Sequence, residues 1–503
     1  HTIMINSGII NNVPVHASYE LMTKLLREDL GFQGMIVTDW EDINKLYNRD
    51  KMVPSIKEAI KAGINAGIDM SMIPYNYKEF CDLLTELVNE GQVPMSRIDD
   101  AATRVLTVKI KLGLFETPNT YAKDYPEFNS KAFEQDSYNA AADGITLLKN
   151  NNNVLPLTKG AKILVTGPNA VSRRALNGGW TFSWQGEKID EFGDLYHNIL
   201  DAVQQKFDKA NVSYVPGVSY TKETKWDTEH KDRFDEAIAA AKNVDYIILC
   251  LGENSYCEKP GDLKDLYLND LQTELAQEML KLGKKVILVL SEGRPRLISK
   301  FSSKVDGIVQ TYLPGIYGAD ALADILAGDV NPSGKLPYTY PAYPNSLVPY
   351  FHKYSDEQVN TDAAYNYEGD YNFEYPFGYG LSYTTFAYSN IKLDKSQLPL
   401  NSNEEVTISV DIKNTGSRDG KEVVQLYTSD LVASLVPDVK RLRRFEKVAL
   451  KAGETKTVTF KLKLNDLSFI NLENKRVVQP GDFEFQVGSS SNDIKGKVLF
   501  TVK

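Results

Sequence analysis

The sequence predicts two α/β segments followed by an all-β domain. From residue 1 to about residue 340, short apolar runs alternate with stretches of helical periodicity. This alternation is typical of parallel sheets, whose strands are joined by helices. From Phe386 onward the apolar residues instead recur at every second position, between turn signals. The length of 503 residues fits about three domains at roughly 150 residues per domain.

The first segment, residues 1–115, contains three strand–helix units. Strands are predicted at Thr2–Asn6, Met35–Thr38 and Ile68–Met72, and residues with helical spacing follow each of them. Three units are too few for a closed barrel of eight strands, but they fit the last three of such a barrel. The sequence begins at His1 inside an apolar run, so we expect either that a leader was removed or that the chain starts in the middle of a longer unit.

The second α/β segment, residues 131–340, follows a predicted linker at 116–130 that is rich in Pro, Asn and Tyr. A helix is predicted near 133–149. The apolar runs predicted to be strands are Lys162–Thr166, Tyr246–Leu251, Lys285–Leu290 and Gly307–Thr311. Residues 341–385 are predicted to form an irregular, tyrosine-rich connector.

The third segment, residues 386–503, is predicted to be a β-sandwich. Residues Val406–Ile412 alternate strictly between apolar and polar side chains, as do residues 458–462 and 483–487. About seven short antiparallel strands over a hundred-odd residues are typical of immunoglobulin-like sandwiches.

Composition excludes several functions. The net charge of −10 argues against nucleic acid or an anionic membrane as the main partner, because both need a basic face. The apolar runs are too short to span a membrane. Three cysteines form neither a disulfide framework nor a C-x-x-C zinc motif, and the five histidines show no metal-ligand spacing. We therefore predict no cofactor and no metal.

Asp39 and Trp40 are the first candidate site residues. Asp39 follows the predicted strand Met35–Thr38, and catalytic residues of α/β barrels lie at the C-terminal ends of strands. The neighbouring Trp40 offers a flat apolar surface of the kind that stacks on sugar rings. A strand-end aspartate that caps the next helix is an equally good interpretation of the position alone.

Two later loops supply further candidates. Glu253 and Glu258 lie after the apolar run Tyr246–Leu251, where ligands collect in open α/β sheets. Trp180 and Trp184 lie on a loop punctuated by glycines, which suits a carbohydrate platform. A solvated acidic loop and a packed loop anchor are the structural alternatives for these two segments.

Taken in order, these segments resemble glycoside hydrolase family 3, of the bacterial β-glucosidase type, over essentially the whole chain. The matching stretches are Gly34–Trp40, Ala66–Met70, Pro94–Ala101, Gly144–Asn150, Leu155–Leu157, Gly179–Gly186, Gly252–Glu258 and Pro376–Tyr383. The resemblance implies an (α/β)8-type barrel, an α/β sandwich domain and a fibronectin type III-like (immunoglobulin-like) β-sandwich. Since the family's barrel has five more strands before the one that starts near Thr2, the resemblance also implies that the N-terminal half of the barrel is absent from this chain.

The resemblance also implies roles for individual residues. It carries the catalytic nucleophile onto Asp39 and the acid/base onto Glu258, and it makes Trp40 and Trp184 aromatic walls around the leaving-group sugar. Ser7, expected to bind substrate, stands where related plant enzymes have Tyr. The implied activity is that of a retaining exo-acting β-glucosidase, which forms a covalent glycosyl-enzyme and needs no cofactor.

Several alternatives stay open at this point. They are a β-xylosidase, a broad exo-glucanase or a transglycosylase of the same family, and a non-catalytic carbohydrate-binding fragment. The family implies a periplasmic or extracellular location, and a homodimer is left open. A basic loop at 430–444, with Lys440, Arg441, Arg443 and Arg444, is interpreted as a solvated loop by default, with an approach to the active-site cleft as the alternative.

Overall fold

A computed structural model describes most of the chain. The described residues are 1–222, 225–346, 349–357, 364 and 371–503, and of residues 190 and 192–194 only the backbone is described. The predicted connector 341–385 therefore lies partly outside the described residues. The chain divides into two units, His1–Phe128 and Asn129–Lys503.

A three-stranded parallel sheet forms the centre of the first unit. The strands of this unit are β1 (Thr2–Met4), β2 (Ile9–Ile10), β3 (Val13–Pro14), β4 (Met35–Trp40) and β5 (Met70–Met72). The sheet has the order β1-β4-β5, and β2 pairs with β3 as a separate antiparallel hairpin. The three strands predicted from the sequence are therefore neighbours in one sheet, with β4 in its middle.

Helices follow the strands of this sheet. They are a π-helix (Glu20–Asp29), α1 (Asp42–Asn48), α2 (Ile56–Ala66), α3 (Tyr77–Asn89) and α4 (Met95–Lys111). The Ser55 side chain caps α2 by accepting a hydrogen bond of 3.3 Å from the Glu58 amide. Ile60 and Ile64 of α2 are buried in the same apolar core as Ile36 of β4. The periodicity of the sequence thus places one face of α2 in the core that also holds β4.

A buried carboxylate, that of Asp69, is hydrogen-bonded to the backbone near the start of β4. Asp69, whose side chain is fully buried, pairs with Arg27 at 2.6 Å and with Arg97. Its Oδ2 also accepts a hydrogen bond of 2.8 Å from the Ile36 amide. Two arginines and a backbone amide compensate the charge, as burial of a carboxylate requires.

A six-stranded mixed sheet forms the centre of the α/β part of the second unit. Its strands and their short neighbours are β6 (Thr146–Asn150), β7 (Ile163–Thr166), β8 (Val212–Tyr214), β9 (Gly217–Tyr220), β10 (Glu229–Asp232), β11 (Tyr246–Gly252), β12 (Lys285–Ser291), β13 (Gly307–Gln310), β14 (Tyr340–Pro341) and β15 (Phe373–Tyr375). The sheet order is β6-β13-β12-β11-β7-β8. Strand β6 is antiparallel to β13, whereas the other pairings in this sheet are parallel.

Helices cover both faces of this sheet. They are α5 (Lys131–Gly144), α6 (Arg173–Asn177), α7 (Ile199–Phe207), α8 (Phe234–Ala241), α9 (Asp270–Leu280) and α10 (Gly318–Ala327). Ile248 and Cys250 of β11 pack in one core with residues of α5, α7 and α10, while Ile247 and Leu249 pack in a second core with residues of α8 and α9. Alternate side chains of a strand point to opposite faces, so β11 belongs to both cores.

The helix predicted near 133–149 is too long at its C-terminal end. The helix ends at Gly144, and Thr146–Asn150 forms edge strand β6. Ile145, Leu147 and Leu148 are fully or almost fully buried. Pairing with β13 and burial of these side chains therefore outweigh the local preference for helix.

The last part of the second unit is a β-sandwich, as predicted. Its strands are β16 (Phe386–Leu393), β17 (Gln397–Leu398), β18 (Glu405–Asn414), β19 (Gly420–Asp430), β20 (Arg441–Leu450), β21 (Thr455–Lys463), β22 (Phe469–Ile470), β23 (Arg476–Val477), β24 (Gly481–Ser490) and β25 (Asp493–Val502). One sheet has the order β16-β18-β21 and the other β17-β25-β24-β19-β20. The alternating apolar residues predicted from the sequence, such as Ile408 and Phe485, fill the core between the two sheets.

Two lysines connect the β-sandwich to α5. Lys421 Nζ lies 2.6 Å from Asp143 Oδ1, and Lys447 Nζ donates to the backbone carbonyl of Asp143 at 2.8 Å. Lys447 also donates to Ser333 Oγ at 3.0 Å. These contacts anchor β19 and β20 to the end of α5.

Candidate functional site

Asp39 and Trp40 form the C-terminal end of β4. Asp39 is half-buried, and its Oδ1 accepts a hydrogen bond of 2.6 Å from the Trp40 amide. The residue before them, Thr38, is fully buried and accepts a hydrogen bond from the Met72 amide at 2.9 Å. The sheet therefore holds the strand up to its last residues, Asp39 and Trp40, the second of which still pairs with Met72 of β5.

The helix-capping interpretation of Asp39 is wrong. Helix α1 begins at Asp42, and its N-cap residue is Glu41, whose side chain makes no capping hydrogen bond. Trp40 is half-exposed, and its ring meets Tyr75 edge-on at 6.1 Å between centroids. Half of the surface of this indole is thus exposed, so Trp40 is not a core aromatic.

Ser7 belongs to a charged network in the same unit. Its Oγ donates to Asp42 Oδ1 at 2.7 Å and accepts from Arg49 Nη1 at 2.7 Å. Lys45 Nζ donates to the same Asp42 oxygen at 2.8 Å. Asp42 and Arg49, which the sequence did not single out for chemistry, therefore fix the hydroxyl of Ser7.

His16 is completely buried beside this network. Its Nε2 lies 3.8 Å from Asp50 Oδ2, and neither ring nitrogen has a hydrogen-bond partner among the described residues. Burial lowers the pKa of His16 by more than the nearby carboxylates of Asp42 and Asp50 raise it. The neutral imidazole is therefore the favoured form at neutral pH.

The two carboxylates on the loop after β11 have different environments. Glu253 is buried, with Oε1 accepting from Arg294 Nε at 2.9 Å and from Arg296 Nη1 at 3.0 Å. Its Oε2 accepts from the Tyr256 hydroxyl at 3.0 Å. Glu253 thus fixes the base of the loop, and its oxygens are occupied by protein groups.

Glu258 is exposed at the outer end of the same loop. It adopts φ +54° and ψ −153°, a combination that residues other than glycine rarely take. Its Oε1 accepts a hydrogen bond of 3.2 Å from the indole Nε1 of Trp184. In the described part of the chain it makes no ion pair. Of the two carboxylates, only Glu258 is available to a ligand.

The tryptophan loop is anchored to the Glu258 loop through Gln185. The Gln185 side-chain amide accepts from the Cys257 backbone N–H at 3.1 Å and donates to the Cys257 carbonyl at 3.2 Å. A Cβ at Gly179 would lie only 2.7 Å from that of Cys257, so glycine permits the close approach. The packed anchor is therefore Gln185, which the sequence did not reveal, while Trp180 and Trp184 remain at least about half-exposed.

Two further glutamates of the second unit are shielded from solvent: Glu292 is buried and Glu229 is partly buried. Burial raises the pKa of Glu292 to about 8 and that of Glu229 to about 7. Glu292 accepts a hydrogen bond of 2.9 Å from the Tyr340 hydroxyl, and Glu229 accepts from Gln272 Nε2 at 2.5 Å. Nothing in the sequence pattern distinguishes these glutamates from surface ones, since neither lies in a recognisable motif.

The described residues offer neither a metal-binding cluster nor a membrane-spanning helix. Among the described residues, no group of three or more His, Cys, Asp or Glu side chains is placed to hold a metal ion. Over the same residues, the helices fall short of the length and apolar character that crossing a membrane demands. All three cysteines are free thiols.

Comparison with known families gives three matches. Residues 2–108 match the glycosyl hydrolase family 3 N terminal domain, and residues 145–383 match the glycosyl hydrolase family 3 C-terminal domain. Residues 422–491 match a fibronectin type III-like domain. The resemblance and the fold class predicted from the sequence are confirmed.

Individual relatives agree with these matches. A lysosomal beta glucosidase of Dictyostelium discoideum is 38% identical, over 97% of this chain and 59% of that protein. A beta-xylosidase of Formosa agariphila is 36% identical, over 98% of this chain and 68% of that protein. The crystal structure of a beta-glucosidase from Listeria innocua in complex with isofagomine has a TM-score of 0.84 and 30% identity, and the match covers 99% of this chain and 68% of that one. The chain thus spans about three fifths to two thirds of these relatives.

Proposed function

The chain belongs to glycosyl hydrolase family 3, and on that premise we propose that it acts in a retaining exo-β-glucosidase. The substrate is a terminal, non-reducing β-D-glucosyl residue of an oligosaccharide or glucoside. Two of the relatives described above, from Dictyostelium and Listeria, are named beta-glucosidases. The reaction uses two carboxyl groups and no cofactor.

In this proposal Asp39 is the nucleophile. Its carboxylate attacks the anomeric carbon, and the bond to the leaving oxygen breaks as a covalent glycosyl-enzyme forms. The position supports this role, because Asp39 stands at the end of a parallel strand and its carboxylate does not cap α1. Trp40 beside it is the proposed apolar wall, and Ser7 is the proposed polar contact to the sugar.

Glu258 is the proposed acid/base, and the hydrogen bond from Trp184 is the observation that carries the proposal. An indole N–H aims one oxygen of the carboxyl group, while the half-exposed ring offers a face for the leaving-group sugar. Glu258 gives its proton to the leaving oxygen in the first step. In the second step it takes a proton from the water that hydrolyses the glycosyl-enzyme, so its protonation state is restored.

Trapping with a 2-fluoro-β-glucoside tests the nucleophile. The fluorinated sugar slows hydrolysis of the intermediate, so mass spectrometry of the digested protein should find the label on Asp39. The Asp39→Asn variant should take up no label. A label on any other residue would overturn the assignment.

Azide rescue tests the acid/base. Glu258→Ala should lose more activity on a disaccharide than on an aryl glucoside with a good leaving group, because the latter needs little acid help. Azide should restore turnover by attacking the glycosyl-enzyme in place of activated water. Glu187→Ala, at an exposed glutamate of the tryptophan loop, is the matched control and should behave like the unmodified protein. Equal losses on both substrates would count against Glu258.

A β-xylosidase is the second candidate, because the Formosa relative carries that name. The ratio of kcat/KM on aryl β-glucoside to that on aryl β-xyloside separates the two. A ratio well below one would favour the xylosidase. Transfer products formed at high acceptor concentration would reveal a transglycosylase. Saccharide binding without any turnover would indicate a carbohydrate-binding protein.

We further propose a periplasmic or extracellular location, supported by a relative from Salmonella typhimurium that is named a periplasmic beta-glucosidase and is 32% identical over 98% of this chain and 66% of that protein. Cell fractionation with an antibody tests this. A homodimer stays a prediction, and light scattering of the purified protein tests it.

A further inference from the structure

A cavity of about 440 Å³ opens on the β-sandwich, away from the proposed catalytic residues in sequence and made by other elements. Strands β19 and β20, the hairpin β22–β23 and the loop between β19 and β20 form its walls. This loop and β20 contain the basic cluster at 430–444 that the sequence analysis interpreted as solvated by default. The volume of the cavity falls within the range of sites that hold small molecules, about 300 to 1,000 Å³.

Arg443 is the central basic residue of this cavity. It is half-buried, and its Nε donates to Thr428 Oγ1 at 2.8 Å. No carboxylate of the described residues pairs with it. Burial lowers the pKa of the Arg443 guanidinium, and the neighbouring Arg441 lowers it further. The Asp466 and Asp438 carboxylates act in the opposite direction and raise this pKa, but they form their ion pairs with Arg444 and Arg441 and not with Arg443. The cation is therefore partly desolvated without a directly bonded carboxylate, a partner that a ligand could supply.

The arginines near the cavity differ in whether a carboxylate pairs with them. Arg441 pairs with Asp438, and Arg444 pairs with Asp466 at 2.8 Å. Arg476, which lines the cavity from β23, donates to Ser468 Oγ at 3.1 Å and, like Arg443, has no ion pair among the described residues. Two guanidinium groups on two different strands thus line the same cavity with unpaired charge.

Acidic groups of the cavity do not cancel this charge. Asp438 is already shared between Lys353, at 2.6 Å, and Arg441. Asp430, the other carboxyl group in the wall, makes no ion pair with a described residue, and burial raises its pKa. The wall consequently carries four basic side chains against two acidic ones.

Part of the wall is apolar. Leu435, Phe469 and Ile470 line the cavity together with the arginines. An apolar wall of this kind suits the C–H face of a pyranose ring, and a guanidinium fork suits a carboxylate, to which it donates two parallel hydrogen bonds. We propose that this cavity binds a saccharide that carries a carboxylate, such as a uronic acid, with Arg443 and Arg476 holding the carboxylate. The site is independent of the proposed glucosidase activity.

Calorimetric titration of the full chain with four small probes tests the ligand class. D-glucuronate should bind at one site, with an affinity that falls as salt is added. D-glucose lacks the charge and acetate lacks the ring, so each should bind at least about tenfold more weakly, the loss expected for one missing charged hydrogen-bonding group. Inorganic phosphate should also bind more weakly, because it cannot use the apolar wall. Binding of acetate or phosphate as tight as that of glucuronate would overturn the proposal, as would absence of glucuronate binding. Glucose binding as tight as that of glucuronate would overturn it if the binding is lost in Arg443→Gln, because glucose held at the proposed catalytic residues does not depend on Arg443.

Variants locate the binding. Arg443→Gln should weaken glucuronate binding by about tenfold or more, and Arg476→Gln, at an exposed position that is safer for folding, should weaken it in the same way. Arg444→Gln is the matched control, because Arg444 lies on the same strand but is paired with Asp466 and does not line the cavity. Circular dichroism checks that each variant is folded. Unchanged affinity in a folded Arg476→Gln variant, or an equal loss in Arg444→Gln, would place the ligand elsewhere and overturn the proposal.

Discussion

Trp184 donates a hydrogen bond of 3.2 Å from its indole nitrogen to Oε1 of Glu258, 74 residues further along the chain. The two loops that carry these side chains are held together by Gln185 and the backbone of Cys257. The bond therefore joins two preassembled loops and restricts the rotation of an otherwise exposed carboxyl group. Exposed carboxylates without such a partner sample several rotamers.

Trp184→Phe should lower kcat/KM on a β-linked disaccharide by about ten- to a hundredfold, because an acid that is no longer aimed transfers its proton poorly. The loss on an aryl glucoside with a good leaving group should be smaller, since that substrate needs little acid assistance. Steady-state kinetics on both substrates measures the difference. Trp180→Phe, at a more exposed tryptophan of the same loop, should change neither value by more than about twofold. Equal losses on the two substrates would mean that Trp184 only packs against sugar.

Glu253→Gln should destabilise the second unit by about 3 kcal/mol, because it leaves the buried Arg296 and the half-buried Arg294 without their carboxylate. Urea unfolding measures the free energy. Glu274→Gln is the matched control, because its ion pair with Lys231 is exposed, and it should change stability by less than about 1 kcal/mol. If the two variants were equally stable, the buried carboxylate would not anchor the loop.

Glu292 should make the protein less stable as the pH rises from about 5 to 8. Its pKa is raised from 4.5 to about 8 by burial, so the folded protein binds more protons than the unfolded chain between these values. The stability is thus fully present below pH 4.5 and is lost as the pH passes through the folded pKa. Glu229, with a pKa of about 7, should contribute in the same direction.

Glu292→Gln removes the titrating group and keeps its shape. The dependence of unfolding free energy on pH should therefore become shallower between pH 5 and 8, as measured by urea unfolding at several pH values. The surface variant Glu274→Gln should keep the original slope. An unchanged slope in Glu292→Gln would show that another group is responsible.

Lys447→Ala should cost about 2 kcal/mol, because it leaves the carbonyl of Asp143 and the buried Ser333 without their donor. Since these bonds connect the β-sandwich to α5, differential scanning calorimetry should show a lower transition or a separate transition for the sandwich. Lys461→Ala, at an exposed lysine of β21, should stay within about 0.5 kcal/mol of the unmodified protein. A single transition at the original temperature in Lys447→Ala would contradict the anchoring role.

Much of the fold could be predicted because apolar periodicity reflects burial directly. Ile247 and Leu249 face one core and Ile248 and Cys250 the other, so β11 reads as a continuous apolar run. Thr146–Asn150 was misassigned because an edge strand after a helix keeps helix-compatible residues until tertiary pairing decides.

The candidate site could be predicted less completely. Asp39 and Glu258 were found through their motifs, and their catalytic roles stay a proposal. Without the family resemblance, the residue pattern does not separate Glu253 from Glu258. Two glutamates five residues apart on one loop look alike until Arg294 and Arg296, over forty residues away, are seen to bind only the first. Gln185 was missed for the same reason, because its partner Cys257 is 72 residues distant.

The positive φ angle at Glu258 lowers the stability of the fold at the residue that is proposed as the acid/base. For a residue other than glycine, a conformation at φ +54° and ψ −153° lowers the stability of the fold by about 1 to 3 kcal/mol. Glycine would relieve that cost and would also remove the only carboxyl group that Trp184 aims. Screens that select for thermal stability alone would therefore tend to choose glycine at position 258 and discard the proposed acid, so any stabilising design of this protein needs to hold that residue fixed.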